Sequence, residues 1–151
     1  MLFLIFRTAR AYCAVEAKGI VEVLPLLQID ALPAGPAGVA GVINYRGALL
    51  PVVDLSELAT GVACSRLHSS RILVTRLKTG VFAGQPVGVV VEGATQTLRI
   101  DPERFALAPG PDAMWAARED IDGTSRLIQR IDLQTLVPTL LDQARATRRI
   151  A

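Results

Sequence analysis

The sequence holds very few of the groups that enzymes use for chemistry. One histidine, His68, and two cysteines, Cys13 and Cys64, are all the imidazole and thiol that its 151 residues offer. A general base needs a group that orients it, yet His68 lies in the polar connector Ser65-Arg66-Leu67-His68-Ser69-Ser70, where a solvated side chain is expected. Neither cysteine has a second ligand at a zinc spacing, so no metal is expected. Two cysteines at unrelated spacing read as reduced, partly buried thiols rather than a disulfide framework. Aromatic residues make up 5% of the chain, too sparse for the stacking platforms that hold single-stranded nucleic acid. Trp115 beside Met114 is expected to cap the core instead.

Charge of one sign is also scarce. Sixteen basic residues against fourteen acidic ones leave +2, which argues against nucleic acid as the main partner. Lys18 and Lys78 are the only lysines, so arginine carries most of the positive charge. Long apolar runs are missing too. Met1-Leu2-Phe3-Leu4-Ile5-Phe6 stops at Arg7, far short of the ~20 residues of a spanning helix, and no basic region precedes it as in a signal peptide. A cytoplasmic protein without direct membrane insertion is expected. The glycine-rich segment Gly35–Gly41 lacks the Lys-Ser/Thr ending of a phosphate loop. Glu119, Asp120 and Asp122 do not follow the calcium-loop pattern. No cofactor is expected.

What the chain does have is apolar material in short pieces. Hydrophobic residues make up 51% and charged residues 20%, and a chain of this length buries about 68–70% of its unfolded surface. Glycine and proline cut the apolar runs into many short strands. Leu2–Phe6 and Tyr12–Val15 form a plausible hairpin, Gly19–Leu24 a third strand that Pro25 stops, and Leu32–Gly38 a loop. Val39–Asn44 and Ala48–Leu55 are joined through Tyr45-Arg46-Gly47, with Gly47 at a position needing φ > 0. Arg71–Leu77 and Gln85–Glu92 make a further pair, and Thr95–Ile100 alternates as a separate strand does. Asp101–Gly123 reads as loop, with a turn at Asp122-Gly123 and a strand over Ser125–Ile131. After Asp132 a short turn and a second helical start at Pro138 are expected, because proline inside a helix costs ~3 kcal/mol. The expected organisation is one domain over 1–143 and a frayed basic tail over 144–151.

With catalytic groups so few, a binding module is the natural reading. The segment Gly41-Val42-Ile43-Asn44-Tyr45-Arg46-Gly47-Ala48-Leu49-Leu50-Pro51-Val52-Val53-Asp54-Leu55 resembles the signature G-V-x-N-L-R-G-x-x-x-P-V-x-D-L of the CheW-like adaptors of bacterial chemotaxis. Ile20-Val21-Glu22-Val23-Leu24-Pro25 is similar to that family's V-x-E-V-x-P segment, Pro86–Glu92 to its G-L-x-V-D strand and Leu127–Leu133 to its closing L-I-x-L-x-D-L. Tyr45 stands where the family commonly has leucine, Glu92 where it has aspartate, and Gly93 and Arg130 where apolar residues are usual.

The resemblance implies an all-β fold, two intertwined five-stranded SH3-like β-barrels sharing a core, with a short C-terminal helix. It implies a protein without enzymatic activity that couples the cytoplasmic tip of a methyl-accepting chemoreceptor to the regulatory domain of a chemotaxis-type histidine kinase. Such a protein is recruited from the cytoplasm to membrane-associated receptor arrays. Carried over residue by residue, Ile20, Glu22, Gly41, Asn44, Arg46 and Gly47 fall on the surface the family uses toward receptors. Gly41 is expected to make room for the partner, and Gly47 to shape the turn. Asn44-Tyr45-Arg46-Gly47 with Val23-Leu24-Pro25-Leu26 looks most like adaptors of arrays that control surface attachment through a diguanylate cyclase. The alternative is a small-molecule-binding β-barrel, which would need a concave pocket with convergent polar groups.

Overall fold

A computed structural model describes residues 1–8, 11–109 and 114–150. The first hairpin forms as expected, from β1 (Leu2–Arg7) and β2 (Tyr12–Glu16), with Leu4 opposite Val15. Both strands are apolar on both faces, and each face fills a different core. Phe3, Ile5 and Ala14 enter one cluster, and Leu4, Phe6, Cys13 and Val15 another. This explains why the run over residues 2–6 does not alternate: a strand with packed neighbours on both sides has no polar face to present.

A 3-10 turn at Ala17–Gly19 leads to β3 (Glu22–Pro25), β4 (Gly41–Tyr45), β5 (Ala48–Asp54), the short helix α1 (Leu55–Thr60), β6 (Arg71–Arg76) and β7 (Pro86–Arg99). β8 (Ala106–Ala108), β9 (Met114–Ile121), β10 (Thr124–Arg130) and α2 (Leu133–Ile150) complete the chain. Pairing divides the strands into two sets. β3–β7 enclose a cluster of Ile43, Leu50, Val52, Cys64, Ile72, Val74 and Val90. β1, β2, β8, β9 and β10 enclose Phe3, Ile5, Ile100, Phe105, Ala117, Ile121 and Ile128. The sets interlock because the N-terminal hairpin pairs with β10, in parallel, only after the chain has built the other set. Between them lies the shared core, where Leu4, Phe6 and Val15 meet Leu73, Val87, Val89, Val91 and the α2 residues Leu133, Val137 and Leu141.

β7 corrects the expectation of two separate strands over Gln85–Glu92 and Thr95–Ile100. It is one 14-residue strand whose first part pairs with β5 and β6 and whose second part pairs with β1. Gly93, at φ +64, lies where it passes from one set to the other, beside a register shift in β1. That positive φ, which glycine takes freely and L side chains rarely adopt, accounts for glycine where an apolar residue is usual.

One helix was not anticipated from the sequence, and two further expectations are corrected. Residues after Asp54 form α1, because the Asp54 carboxylate accepts from the Glu57 N–H at 3.1 Å and caps a helix. Asp101–Gly123 is not all loop: it contains β8 and β9, the latter with Ala117 and Ile121 inward and Arg118 and Asp120 outward, a period of two that its charges obscure. Trp115 shares the inward parity of Ala117 but sits at the strand's end, 48% exposed, and does not cap the core.

The C-terminal helix also differs. α2 runs unbroken through Pro138 to Ile150, where a second start at Pro138 and a frayed tail from 144 were expected. Its start is capped by Asp132, which accepts from the Gln134 N–H at 3.0 Å and the Thr135 hydroxyl at 3.1 Å. Burial of Leu133, Val137 and Leu141, at about 1.5–3 kcal/mol each, outweighs the ~3 kcal/mol cost of the proline.

Candidate partner-binding surface

β4 and β5 are joined by the two residues Arg46 and Gly47, with Tyr45 opposite Ala48. Both turn residues have positive φ, +50° and +80°, which is the type I′ geometry that matches the twist of a hairpin. Glycine takes that conformation freely, whereas Arg46 holds it under modest strain. The strained position lifts the guanidinium out of the sheet: its side chain is 73% exposed.

Arg46 is nevertheless fixed. Its Nη2 lies 3.0 Å from Oε2 of Glu22 on β3, and its guanidinium carbon stands 5.2 Å from the centre of the Tyr45 ring. Tyr45 donates its hydroxyl to the same Glu22 oxygen at 2.5 Å. The hydrogen bond to Glu22 pushes the Tyr45 phenol above its usual pKa, with partial burial adding to it and the Arg46 charge opposing. Glu22, Tyr45 and Arg46 thus form a closed triad at one end of the sheet.

The other expected residues fall around or beneath this triad. Asn44 is exposed and opposite Leu49, itself 72% exposed, so the outer face of the hairpin pairs an amide with a bare apolar side chain. Ile20 is half-buried against the shared core and lines a groove between the two strand sets, two residues along the chain from Glu22. Gly41 is buried, and a Cβ on it would stand 2.3 Å from the carbonyl oxygen of Asp30 and 2.8 Å from the Ile29 methyl. The space that was expected for a partner is filled by this chain's own residues 29–30, of which Asp30 bridges to Val42. Tyr45 and Leu49 were not singled out from sequence. Tyr45 stood only as a departure from leucine, and its partner Glu22 lies 23 positions away, beyond any local spacing rule.

Asp54, near the end of the same segment, is an internal support. Only 2% exposed, it caps α1 with one oxygen and accepts from the Cys64 N–H at 2.9 Å with the other. The Cys64 thiol is pushed up to about 12 by burial, with the charges of Glu92 and Asp54 adding to it. Cys13 is likewise pushed up to about 12 by burial. Both are free thiols, and His68 lies exposed in its connector.

A family model described as the CheW-like domain matches residues 2–140. The chain belongs to the CheW-like family. A solved structure, the scaffolding protein TtCheW from Thermoanaerobacter tengcongensis, has the same fold with a TM-score of 0.73, at 23% identity over 89% of this chain and 86% of that one. No curated protein matches the sequence. This CheW-like chain is therefore a non-enzymatic adaptor, mostly strand with one C-terminal helix. Among the described residues, no helix is long and apolar enough to cross a membrane.

Proposed function

We propose that this CheW-like adaptor couples a methyl-accepting chemoreceptor's cytoplasmic tip to the regulatory domain of a chemotaxis-type histidine kinase, working from the cytoplasm at membrane-associated arrays. The observation that carries the receptor side is the triad. Arg46 sits at a hairpin tip, pre-oriented by Glu22 and Tyr45 yet largely open to solvent, so its remaining donors can meet a partner carboxylate or carbonyl with little further ordering. Ile20, Glu22, Asn44, Arg46 and Gly47 form this receptor surface, with Gly41 holding the hairpin in place from below. The Asn44-Tyr45-Arg46-Gly47 turn favours an array that controls surface attachment through a diguanylate cyclase.

Mixing the protein with a receptor signalling hairpin and a kinase regulatory domain from one source tests the reading. A ternary complex on size exclusion is expected, and loss of receptor alone from it in Arg46→Ala. Absence of a complex with every such pair would overturn the proposal. Assembly only with the kinase of a swimming array would overturn the surface-attachment assignment.

A further inference from the structure

Asp54, Ser70 and Thr75 are buried polar side chains, and each makes a hydrogen bond inside the chain. Glu92 on β7 is nearly as enclosed, at 8% exposed, but its carboxylate has no hydrogen bond or ion pair among the described residues. A buried carboxylate without a partner is costly, so one that persists calls for an explanation. Alternation along β7 sets its direction. Val90, two residues earlier, packs in the cluster that contains Cys64, so Glu92 faces the same side. Its charge is felt there: after burial, it is the next cause of the raised pKa of the Cys64 thiol.

On that side a cavity of about 350 Å³ opens at the turn end of the β1–β2 hairpin, lined by Arg7, Thr8, Tyr12, Val62, Ser65 and Glu92. The groove that Ile20 lines is a different place, at the other end of the hairpin against Val15 and Glu16. Arg7 stands opposite Glu92 in the β1–β7 register, yet the two form no ion pair. The Arg7 side chain is exposed, with its guanidinium carbon 6.0 Å from the centre of the Tyr12 ring. The cavity thus holds one carboxylate and one guanidinium apart. A bare cation is drawn to Glu92 but repelled by Arg7, and for a bare anion the reverse holds. A small molecule that carries both charges is drawn by both.

We infer that this cavity binds a free amino acid, its ammonium donating to the Glu92 carboxylate and its carboxylate accepting from Arg7. The volume is near the lower end for small-molecule sites, which suits a ligand of that size. Thr8, Tyr12 and Ser65 bring hydroxyls, which can donate or accept, to the same walls. Such a site gives the chain a small-molecule input separate from the hairpin surface around Arg46. The inference does not rest on the adaptor reading, and its test contains neither receptor nor kinase.

The test is calorimetry of the intact chain with each of the common L-amino acids and, for the tightest, with its N-acetyl and amide forms, which lack the ammonium and the carboxylate. At least one amino acid is expected to bind with a Kd of about millimolar or tighter. Acetylation, amidation, Glu92→Gln and Arg7→Gln should each weaken it about tenfold or more, whereas Arg99→Gln, outside the cavity, should change nothing. Because Glu92→Gln removes an unpaired buried charge, its melting temperature should equal or exceed that of the unaltered chain. Binding of no amino acid, equal binding of the free and acetylated forms, undiminished binding by Glu92→Gln or Arg7→Gln, or an equal loss in Arg99→Gln overturns the inference. A lowered melting temperature in Glu92→Gln does so too, by showing that the carboxylate is already partnered within the chain.

Discussion

Tyr45 and Arg46 converge on one oxygen of Glu22, the phenol at 2.5 Å and the guanidinium at 3.0 Å. β3 and β4, which carry Glu22 and Tyr45, share no strand pairing. The triad is thus a side-chain clasp across two strands that no backbone ladder joins, and Arg46, the residue proposed to face a partner, is part of the clasp.

The clasp should be visible in alkali. Its hydrogen bond to Glu22 raises the folded-state pKa of Tyr45 above the ordinary value of 10.0. The stabilisation is therefore fully present below pH 10 and is lost as pH rises through the folded value. Thermal melts from neutral pH into the alkaline range should show a stability loss that Tyr45→Phe reduces. Identical alkaline profiles for the two proteins would rule the clasp out.

Arg46→Ala should weaken receptor binding while the protein stays folded. Alanine meets the same backbone strain at φ +50°, so the turn itself is no worse off. The lost ion pair is exposed, a class worth roughly 0–1 kcal/mol, so the melting temperature should move little. A charged hydrogen bond at an interface is worth about 1.5–3 kcal/mol, a drop in affinity of about ten- to a hundredfold. Unchanged calorimetric affinity for the receptor hairpin would remove Arg46 from the interface.

The two glycines of the hairpin should separate in magnitude. Gly47 has open space around it, so alanine there meets only the φ +80° penalty of about 1–2 kcal/mol. Gly41 has the Asp30 carbonyl within 2.3 Å of a Cβ, and the strand must shift away from residues 29–30. Overpacking of that kind costs about 1–3 kcal/mol or more, and Gly41→Ala should be at least as destabilised as Gly47→Ala in urea melts. A Gly41→Ala protein with native stability would show that residues 29–30 yield freely.

The N-terminal hairpin and the turn between β4 and β5 were legible because each depends on neighbours in sequence: apolar runs, punctuation and a glycine after Arg46. The length of β7 was not. Gly93 reads as a break in one dimension, whereas in the fold it is the bend of a strand that two sets share. α2 reads as broken at Pro138 because a local rule sees the proline's cost and not the core in which Val137 and Leu141 are buried. The triad was half visible: Glu22 and Arg46 stood in recognisable motifs, but nothing in the spacing told that Tyr45 would join them.

Neither thiol should be reactive in the folded protein. Cys13 and Cys64 are buried, and burial pushes both up to about 12. At pH 8 a thiol of that pKa is about one part in ten thousand thiolate, the form that attacks disulfides. Ellman's reagent should find almost no thiol in the native protein and two per chain in guanidinium. Rapid native labelling of either cysteine would contradict the burial.

The kinase contact should rely on apolar strand ends and resist salt. Leu107, Met114, Trp115 and Leu127, on β8, β9 and β10, are all at least 40% exposed, a supply of apolar side chains for an interface core. Apolar burial holds or strengthens with salt, while exposed ion pairs are screened beyond about 10 Å at 0.1 M. The strongly basic end of α2 could compete for this role. The last buried residue described on that helix is Leu141, and Arg148 reaches only the Gly35 carbonyl, at 2.8 Å, through an exposed bond. Removal of residues 145–151 should therefore cost about 1 kcal/mol of stability or less and leave kinase affinity unchanged. Calorimetry with the kinase regulatory domain at low and moderate salt decides the matter. An affinity that collapses with salt, or with loss of that helix end, would make the interface electrostatic and assign it to the arginines instead.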